Sequence, residues 1–384
     1  MTTTRDETGR PDRPTVTELR LSAFRAHRGT AIALGPLTLV TGPSGSGKSS
    51  VLEAFEALAR LGSGAALGSV FRDPAGCVPE RAGADAQGRR GFRVGCTVDG
   101  PAGPVRLDLA VQAEPELRIV GERLTSRGQT LLSTALRDPG RSTVQAAWHT
   151  AGAVPVTRAP LPDDRLGTAL LPLRVAGKTE GQRQVLAAAE QVVLALRSVF
   201  PCDPQPQHMR EPVAPLRGAG GGRLRRGCDN LAEVLLRTRT ECAIRHGRLV
   251  AAARAGCRGP VTGLTTEELA DGTLRAVLVR GAHLHGTPVG RLGEGELRYL
   301  ALALVLLTGP GVLAVDPVAE VPGAMQTLTV LADGLDRALD PRQARELLTL
   351  AAEMCARGHL RLLAAVGDAA GAREAGATVV DLRP

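Results

Sequence analysis

The sequence feature that most constrains this chain is a glycine-rich loop set between a short apolar strand and a helix, within residues 34–58. The loop reads GPSGSGKSS and places Gly42, four further residues, then Gly47, Lys48 and Ser49, which fits the pattern G-x-x-x-x-G-K-[ST]. Glycines let backbone N–H groups close around a phosphate without a Cβ in the way, and the lysine adds a mobile positive charge. The helix that follows directs the positive end of its dipole at the same anion. These properties predict a nucleotide-binding loop with ATP and Mg²⁺ as its ligands.

The residues on either side of the loop supply the context that this pattern requires. Leu37–Val40 is apolar and predicts a buried strand. After the loop, apolar residues recur at helical spacing, at Val51, Leu52, Phe55, Leu58 and Leu61. We therefore expect Lys48 to be a catalytic residue and the Ser49 hydroxyl to be a magnesium ligand. The candidate nucleotide contacts are the whole loop: Gly42, Pro43, Ser44, Gly45, Ser46, Gly47, Lys48, Ser49 and Ser50.

The composition indicates what class of protein this is, but it does not identify a partner. At 384 residues and 43% hydrophobic, the chain can build a large packed core, but with 2% aromatics that core must come from Ala, Val and Leu. The formal charge of +8 fits a polyanion such as DNA, and fits equally a chain that simply favours arginine. Seven cysteines without a C-x-x-C pair argue against a disulfide framework and against zinc fingers.

The sequence does not suggest a membrane protein. Residues 1–15 are polar and contain proline, which predicts a disordered tail without the apolar core of a signal peptide. The longest strongly apolar run, Tyr299–Leu307, is far too short to span a bilayer. We expect a cytoplasmic protein with no membrane partner.

Two strands joined by a turn are predicted ahead of the loop, within residues 16–34. The run LRLSAFRAHRGTAIALGPLTLVTGPSGSGKSSVLEAF resembles the N-terminal half of ABC-like P-loop ATPases of the SMC/RecF/OLD type. In that family the turn after the first strand lies near the nucleotide, so the resemblance implies that Arg25 and His27 contact it. The alternative is that both are surface residues of a hairpin. Ser44 stands where many relatives carry Asn.

The middle of the chain predicts an inserted lobe. Val105, Leu107, Leu109 and Val111 alternate with polar or small residues, as in a half-buried strand, and we expect a β-meander over 91–133. Residues 134–177 show little pattern. A capping box at Thr179 then opens a helix that runs to about Leu196.

A second helix is expected from Asn230 to about Ala253, and neither helix keeps a heptad repeat. The long coiled-coil arm of SMC proteins is therefore missing, which favours the compact RecF/OLD-like members. The segment CDNLAEVL at Cys228–Leu235 is similar to one common in that group. Before it, the basic segment Arg217–Arg226 either follows a phosphate backbone or is a solvated loop.

A second motif, LGEGELRYLALAL from Leu292, resembles the ABC signature at the start of an apolar helix. A helix N-terminus flanked by glycine is an anion site. In the family this motif closes over the γ-phosphate bound to the opposite subunit, which implies ATP-driven head-to-head homodimerisation. The candidate contacts are Gly293, Glu294, Gly295 and Glu296, with Gly293 in the place of the usual serine. The alternative is an ordinary capped core helix.

The Walker B position has two candidates. Val312–Asp316 is apolar and ends in Asp, so Asp316 is expected to hold magnesium and to be catalytic, beside Ser49. The next residue, Pro317, cannot be the catalytic base that the family carries there. Asp333 better matches the family's spacing, but the apolar residues from Met325 to Leu339 recur at helical spacing and predict an added helix over 323–339. Gly367 stands where the family has its switch histidine.

These patterns predict an α/β P-loop NTPase of ABC-ATPase type with an inserted antiparallel β plus helical lobe. The expected division is 16–90 and 228–384 for the core and 91–227 for the lobe. We expect ATP·Mg binding, head-to-head dimerisation and weak or absent hydrolysis, in DNA repair or defence. The alternative is a nucleotide-gated switch that presents its lobe to a protein partner. A small-molecule kinase fits less well, because of the signature and the large insertion.

Overall fold

The computed structural model describes residues 13–151, 155–216, 222–281, 285–309, 311–315 and 327–383. They form three sheets, with helices packed against the faces of the two larger ones. No helix in these ranges is long and apolar enough to cross a bilayer.

The largest sheet has eight antiparallel strands in the order β2–β1–β4–β5–β6–β7–β8–β9. Along β5 the residues Val105, Leu107 and Leu109 are buried and alternate with more exposed ones, because one sheet face meets the core and the other meets solvent. The strands are β1 Thr15–Ser22, β2 Thr30–Ala33, β4 Arg90–Asp99, β5 Val105–Glu114, β6 Arg118–Ser126, β7 Gln129–Ala135, β8 Thr143–His149 and β9 Val156–Pro162.

The second sheet has five parallel strands in the order β10–β14–β15–β3–β16. Its central strands are buried on both faces, so they are apolar nearly throughout instead of alternating. The strands are β3 Leu37–Thr41, β10 Val199–Cys202, β14 Leu328–Asp333, β15 Leu360–Ala365 and β16 Thr378–Asp381. A small third sheet contains β11 Gly263–Glu268, β12 Leu274–Val279 and β13 Thr287–Pro288.

Nine α-helices lie in the described ranges: α1 Lys48–Gly62, α2 Leu67–Val70, α3 Gly167–Leu170, α4 Glu180–Arg197, α5 Pro206–Met209, α6 Leu231–Glu241, α7 Ala243–Gly256, α8 Glu294–Leu307 and α9 Pro341–Ala356. The Thr179 hydroxyl caps α4 by accepting a hydrogen bond from the Gln182 amide at 3.2 Å. Asp340 caps α9 in the same way through the Gln343 amide at 2.8 Å.

The two faces of the parallel sheet belong to two separate hydrophobic clusters. Val40, Leu331 and Leu363 pack into a cluster that contains α1, α4 and the eight-stranded sheet. Leu39 and Val330 pack into the other, which contains α6–α9. Helices α1 and α8 therefore lie on opposite faces of the parallel sheet.

The predicted fold class is confirmed, and residues 91–227, the range expected for the inserted lobe, contribute strands to both larger sheets. Strands β4–β9 extend the sheet that β1 and β2 begin, and β10, inside the predicted lobe, pairs with β14 in the parallel sheet. Residues 134–177 contain β8 and β9. The helix predicted from Asn230 to about Ala253 is two helices, because Cys242 between them has an extended backbone (φ −151°, ψ 87°).

The helix predicted over 323–339 is wrong. Leu328–Asp333 is a strand, and the chain then turns through Gly334 with φ +63°. Residues 328–332 are all buried, because a central parallel strand is covered on both faces, and their apolar run fits helical spacing by coincidence. Val312–Asp316 was expected to be a strand, yet of its described residues only Leu313 makes an isolated bridge, to Leu224.

Candidate nucleotide-binding site

The phosphate loop has the backbone that its glycines allow. Gly42, Gly45 and Gly47 have φ values of 145°, 80° and 94°, which side-chain-bearing residues rarely adopt. A Cβ at Gly42 would lie 2.7 Å from the Ser46 hydroxyl, and one at Gly47 would lie 2.6 Å from Nε2 of His27. Both positions therefore require glycine for space as well as for conformation.

Several donors of the loop are free to meet an anion. The amides of Gly45 and Gly47 donate to no acceptor among the described residues, and the buried Ser46 hydroxyl has no partner there. The Lys48 ammonium donates to the carbonyl oxygens of Gly42 at 2.7 Å and Pro43 at 3.0 Å. A cradle of unpaired amides with a lysine folded over it fits a polyphosphate.

His27 lies beneath the loop and not at its open side. The imidazole is 4% exposed. Its Nε2 lies 3.1 Å from the Gly47 carbonyl oxygen and its Nδ1 lies 3.1 Å from the Thr30 hydroxyl. Because a carbonyl can only accept, Nε2 carries the proton and Nδ1 accepts from Thr30. The expected direct nucleotide contact is therefore replaced by a hydrogen bond that holds the loop from below.

Arg25 pairs with α1. Its Nε lies 2.9 Å from a carboxylate oxygen of Glu53, and both side chains are about half exposed. The backbone at Arg25 has φ +51°, and its amide donates to the Cys77 carbonyl at 2.7 Å. Burial raises the pKa of Glu53, Arg25 lowers it, and Asp333 raises it. Asp333, at the end of β14, thus contributes a further negative charge to the surroundings of Glu53.

A cavity of about 690 Å³ opens above the loop, within the range of ligand pockets. Two groups of residues line it. One comes from the loop and the start of α1: Ser44, Gly45, Gly47, Lys48, Ser49 and Ser50. The other comes from two further segments: Arg25, Ala26, Arg28, Gly76 and residues 78–81. Arg28 and Arg81 line it, and among the described residues neither guanidinium has a hydrogen bond or ion pair. The sequence analysis missed both, because exposed arginines are common in this chain. Only the proximity of residues 76–81 to the loop distinguishes them.

Asp333 ends β14, which is separated from the phosphate-loop strand β3 by β15 alone. Its side chain makes no hydrogen bond or ion pair with the described residues. Asp316, the other candidate for the metal-binding aspartate, lies outside those residues.

Ser49 and Asp333 are oxygen donors of the kind that Mg²⁺ prefers. No cluster of three or more His, Cys, Asp or Glu side chains suited to a metal occurs in the described ranges. Mg²⁺ commonly takes one or two protein oxygens and completes its shell with phosphate and water. The residues present fit an ion that arrives with a nucleotide.

The groups expected to activate water are missing beside Asp333. Gly334 follows it where the family carries a glutamate, and Gly367 follows β15 where the family carries a histidine. Asp336 is nearby, but its carboxylate accepts hydrogen bonds from the amides of Gly367, at 2.9 and 3.1 Å, and of Asp368, at 3.1 Å. Asp336 therefore braces the loop after β15.

The signature-like motif forms the start of α8, as predicted. Gly293 and Glu294 are exposed there, whereas a Cβ at Gly295 would lie 2.3 Å from the Ala338 carbonyl oxygen. Glu296 accepts hydrogen bonds from the amides of Arg258 at 2.8 Å and Gly293 at 3.3 Å. Of the two exposed positions, Gly293 already donates its amide to Glu296, and only the Glu294 amide has no acceptor among the described residues.

Arg298 connects this helix to the end of β14. Its side chain is 2% exposed and donates to the carbonyl oxygens of Pro204 at 2.9 Å and Gly334 at 3.0 Å. Burial lowers the pKa of the guanidinium, and its Nε has no partner among the described residues. The signature helix is thereby fixed to the residue after Asp333.

The segment before α6 is anchored by the motif that the sequence singled out. Glu233 accepts hydrogen bonds from the amides of Leu216 at 3.0 Å and Gly222 at 2.9 Å, on either side of residues 217–221. Asn230 donates to the Arg223 carbonyl at 2.8 Å and accepts from the Arg225 amide at 3.0 Å. Beside this segment is a groove of about 880 Å³, whose arginines are Arg60, Arg197, Arg223, Arg225 and Arg226.

Comparisons with known proteins agree with this geometry. A family model described as "AAA domain" matches residues 18–60, which cover the strand pair, the phosphate loop and most of α1. A comparison with curated proteins gave no match.

Solved structures show the fold. A crystal structure of an SMC head bound to the C-winged helix domain of ScpA superposes with a TM-score of 0.51 at 11% identity, covering 92% of this chain and 90% of that one. The chain has the fold of an SMC head. The SMC head of Thermotoga maritima gives a TM-score of 0.43 at 13% identity, with 94% and 92% covered. A ScpA-bound SMC head derived from Pyrococcus furiosus gives 0.44 at 11%, with 92% and 90% covered.

Proposed function

We propose that this protein binds ATP·Mg at the phosphate loop and dimerises head-to-head around it, with little or no hydrolysis. The observation that carries this is a pair of backbone amides, those of Gly45 and Gly47, which have no acceptor among the described residues and belong to residues lining a cavity of about 690 Å³. Lys48 exchanges its two loop carbonyls for phosphate oxygens when the nucleotide enters. Both are oxygen acceptors, but the phosphate also neutralises the lysine.

Ser49 and Asp333 are the residues we assign to the magnesium ion. Bound Mg²⁺ neutralises phosphate charge and orients the oxygens. Ser49 lies in the wall of the phosphate cavity and Asp333 at the end of β14, so the chain provides one hydroxyl and one carboxylate to hold it. Asp316 is not needed for this arrangement.

Dimerisation is supported by the positions of the two motifs. Residues 293–296 do not line the phosphate-loop cavity, and α8 lies on the opposite face of the parallel sheet from α1. This separation supports a signature that meets a γ-phosphate bound to another subunit. Glu294, exposed at the N-terminus of α8, would meet that phosphate through its backbone amide, and Gly293 would do so on releasing Glu296.

Weak hydrolysis follows from the residues beside Asp333. A general base and a charge-stabilising group each contribute typically about 10²–10⁴-fold to such a reaction. Gly334 and Gly367 provide neither. Bound ATP therefore remains intact long enough to hold a dimer together.

The test measures ATP binding, subunit association and phosphate release on one sample. The chain has two lysines, Lys48 and Lys178, and Lys178 is exposed just before α4. Lys178→Ala is therefore a matched control for Lys48→Ala. Wild type and Lys178→Ala should bind fluorescent ATP and dimerise by light scattering, and Lys48→Ala should do neither. Phosphate release at ordinary ATPase rates, lost in Lys48→Ala, would refute the weak-hydrolysis claim. Absence of ATP binding in wild type would refute the function.

A second candidate is a nucleotide-gated scaffold with a protein partner. The missing base and histidine favour it, since a switch needs binding and release more than turnover. The SMC head of similar fold was solved with a domain of another protein, ScpA. A dimer that persists with ATP, and dissociates when ATP is exchanged for ADP without net phosphate release, is the expected result for a switch.

Binding of a DNA backbone is favoured by the arginine groove. Arg223 has no side-chain partner among the described residues, whereas Arg226 pairs with Glu56 at 2.6 Å. Duplex affinity, measured by anisotropy, should fall steeply with salt, and Arg223→Ala should lower the salt slope by about one. Arg141→Ala, which removes an exposed arginine on the lobe, is the control. An affinity unchanged between low and high salt would exclude this partner.

A further inference from the structure

We propose that Glu53 is a positioning residue that competes with the nucleotide for Arg25. In the absence of a nucleotide Glu53 holds the guanidinium against α1. When ATP·Mg binds, Arg25 leaves Glu53 for a phosphate oxygen. This inference rests on the proposed function, because it requires a nucleotide in the phosphate cavity.

The position of Arg25 carries the first step. It lines the phosphate-loop cavity, and it also lines an adjoining cavity of about 310 Å³ that contains Glu53. The guanidinium therefore sits on the boundary of the two and can turn between them without moving the backbone. That backbone is fixed: Phe24 and His27 exchange hydrogen bonds at 2.9 and 2.8 Å, and His27 is bonded to the loop itself.

The present partner is one that Arg25 can leave. The ion pair joins Nε to one carboxylate oxygen at 2.9 Å, with 43% and 44% of the two side chains exposed. Pairs as exposed as this contribute little to stability. A phosphate offers more negative charge and two oxygens to the same fork of donors. The exchange therefore favours the nucleotide when one is present.

The negative charge of Glu53, which Arg25 leaves behind, is also compensated. Glu53 follows Ser49 by four residues on α1, so the two lie on one helix face, and Asp333 is close enough to raise the pKa of Glu53. Once Arg25 has left, Glu53 has no ion-pair partner among the described residues. A cation held by Ser49 and Asp333 compensates for the loss. ATP·Mg thus brings a phosphate for Arg25 and a cation beside Glu53 together.

The experiment compares nucleotide affinities of four proteins with fluorescent ATP and Mg²⁺. Glu53→Gln should bind about threefold more tightly than wild type, since it removes the competitor. Arg25→Ala should bind about tenfold more weakly, because it loses a charged hydrogen bond. In the double variant, Glu53→Gln should bring no further gain, because there is no arginine left to release.

The control is Glu56→Gln on the same helix. Glu56 pairs with Arg226 at 2.6 Å and does not line the phosphate-loop cavity, so its loss removes an equal charge without freeing Arg25. Its affinity should stay within about twofold of wild type. Thermal unfolding of each variant checks folding, and a half-exposed pair should change it little.

Three outcomes would overturn the inference. Weaker binding by Glu53→Gln would make Glu53 a direct contributor to the site. An equal gain from Glu53→Gln with and without Arg25 would reduce it to a general charge effect. An equal gain from Glu56→Gln would do the same. If wild type binds ATP and Lys48→Ala does not, these outcomes leave the proposed function standing. If wild type binds none, the proposed function fails first.

Discussion

The candidate site has two ends, the phosphate loop and the ends of strands β14 and β15, and they differ in which functional groups they keep. At the phosphate loop the amides of Gly45 and Gly47 and the Ser46 hydroxyl have no partner among the described residues. At the ends of β14 and β15 the chain keeps Asp333 but has Gly334 and Gly367 where charged or titratable groups would activate water. The nearest carboxylate, Asp336, is already bonded to two amides. This contrast underlies the proposal that the site holds a nucleotide without consuming it quickly.

The largest effect is expected from substitution of Gly47, because it would disrupt the phosphate loop. Gly47→Ala combines a positive φ, with strain of about 1–2 kcal/mol, and a Cβ 2.6 Å from the His27 ring. ATP affinity should fall about a hundredfold, measured by titration with fluorescent ATP. Gly45→Ala has a positive φ but no atom within 4 Å of the Cβ, so its loss should be about tenfold at most. Equal losses would show that His27 does not define the loop.

The next largest effect is expected from substitution of Asp333, which lies at the end of the site formed by β14 and β15. Asp333→Asn should lower ATP affinity about tenfold with Mg²⁺ and much less when EDTA removes the metal. Asp316→Asn should match wild type under both conditions. The reverse result, with the metal-dependent loss in Asp316→Asn, would restore the assignment that the sequence favoured.

A smaller effect is expected from the support beneath the loop. His27→Ala removes one hydrogen bond to the Gly47 carbonyl, worth about 1 kcal/mol, and should weaken ATP about fivefold. The fold should survive, since α1 and β3 keep their own core contacts. A His27→Ala protein with unchanged affinity would mean that the glycine backbone holds the loop by itself.

The smallest effect tests whether the stability contributed by the eight-stranded sheet, which carries the turn beneath the phosphate loop, depends on pH. Glu122 in β6 is 3% exposed and accepts hydrogen bonds from the Gly167 and Thr168 amides, both at 2.7 Å. Burial raises its pKa above the ordinary 4.5, so the folded state favours the protonated form. Its contribution to stability is therefore complete below the unfolded pKa and is lost as pH rises through the folded one.

The free energy of unfolding of wild type, relative to Glu122→Gln, should therefore increase as pH falls through the raised folded-state pKa towards 4.5. Urea unfolding at several pH values measures it. A difference that is constant with pH would show that Glu122 is equally ionised in both states. ATP affinity at neutral pH should not differ between the two proteins.

The local patterns predicted most of the fold, and long-range pairing accounts for the errors. The phosphate loop, α1, α4 and α8 follow from residue spacing, which a helix determines within a few residues. The strand Leu328–Asp333 could not be distinguished from a helix, because a strand buried on both faces shows no alternation. What identifies it is its place beside β15, which depends on residues 360–365.

The dependence on long-range contacts also explains which residues around the cavity the sequence predicted and which it did not. Lys48 and Ser49 belong to one contiguous motif, whereas Arg81 reaches the cavity from a segment that no motif marks. His27 was identified in the sequence, but its contact with Gly47 from below depends on how β1 and β2 place the turn. Contacts between distant segments carry no signature in a single sequence.

The strand order of the large sheet has a consequence for how such a protein can change over evolutionary time. From β4 to β9 the strands are added in chain order, each beside the last, and the growing edge is the one farthest from β1. Hairpins can therefore be gained or lost at β9 without moving the turn that supports the phosphate loop. Descendants of one ancestor can acquire different surfaces there while the nucleotide site is inherited unaltered.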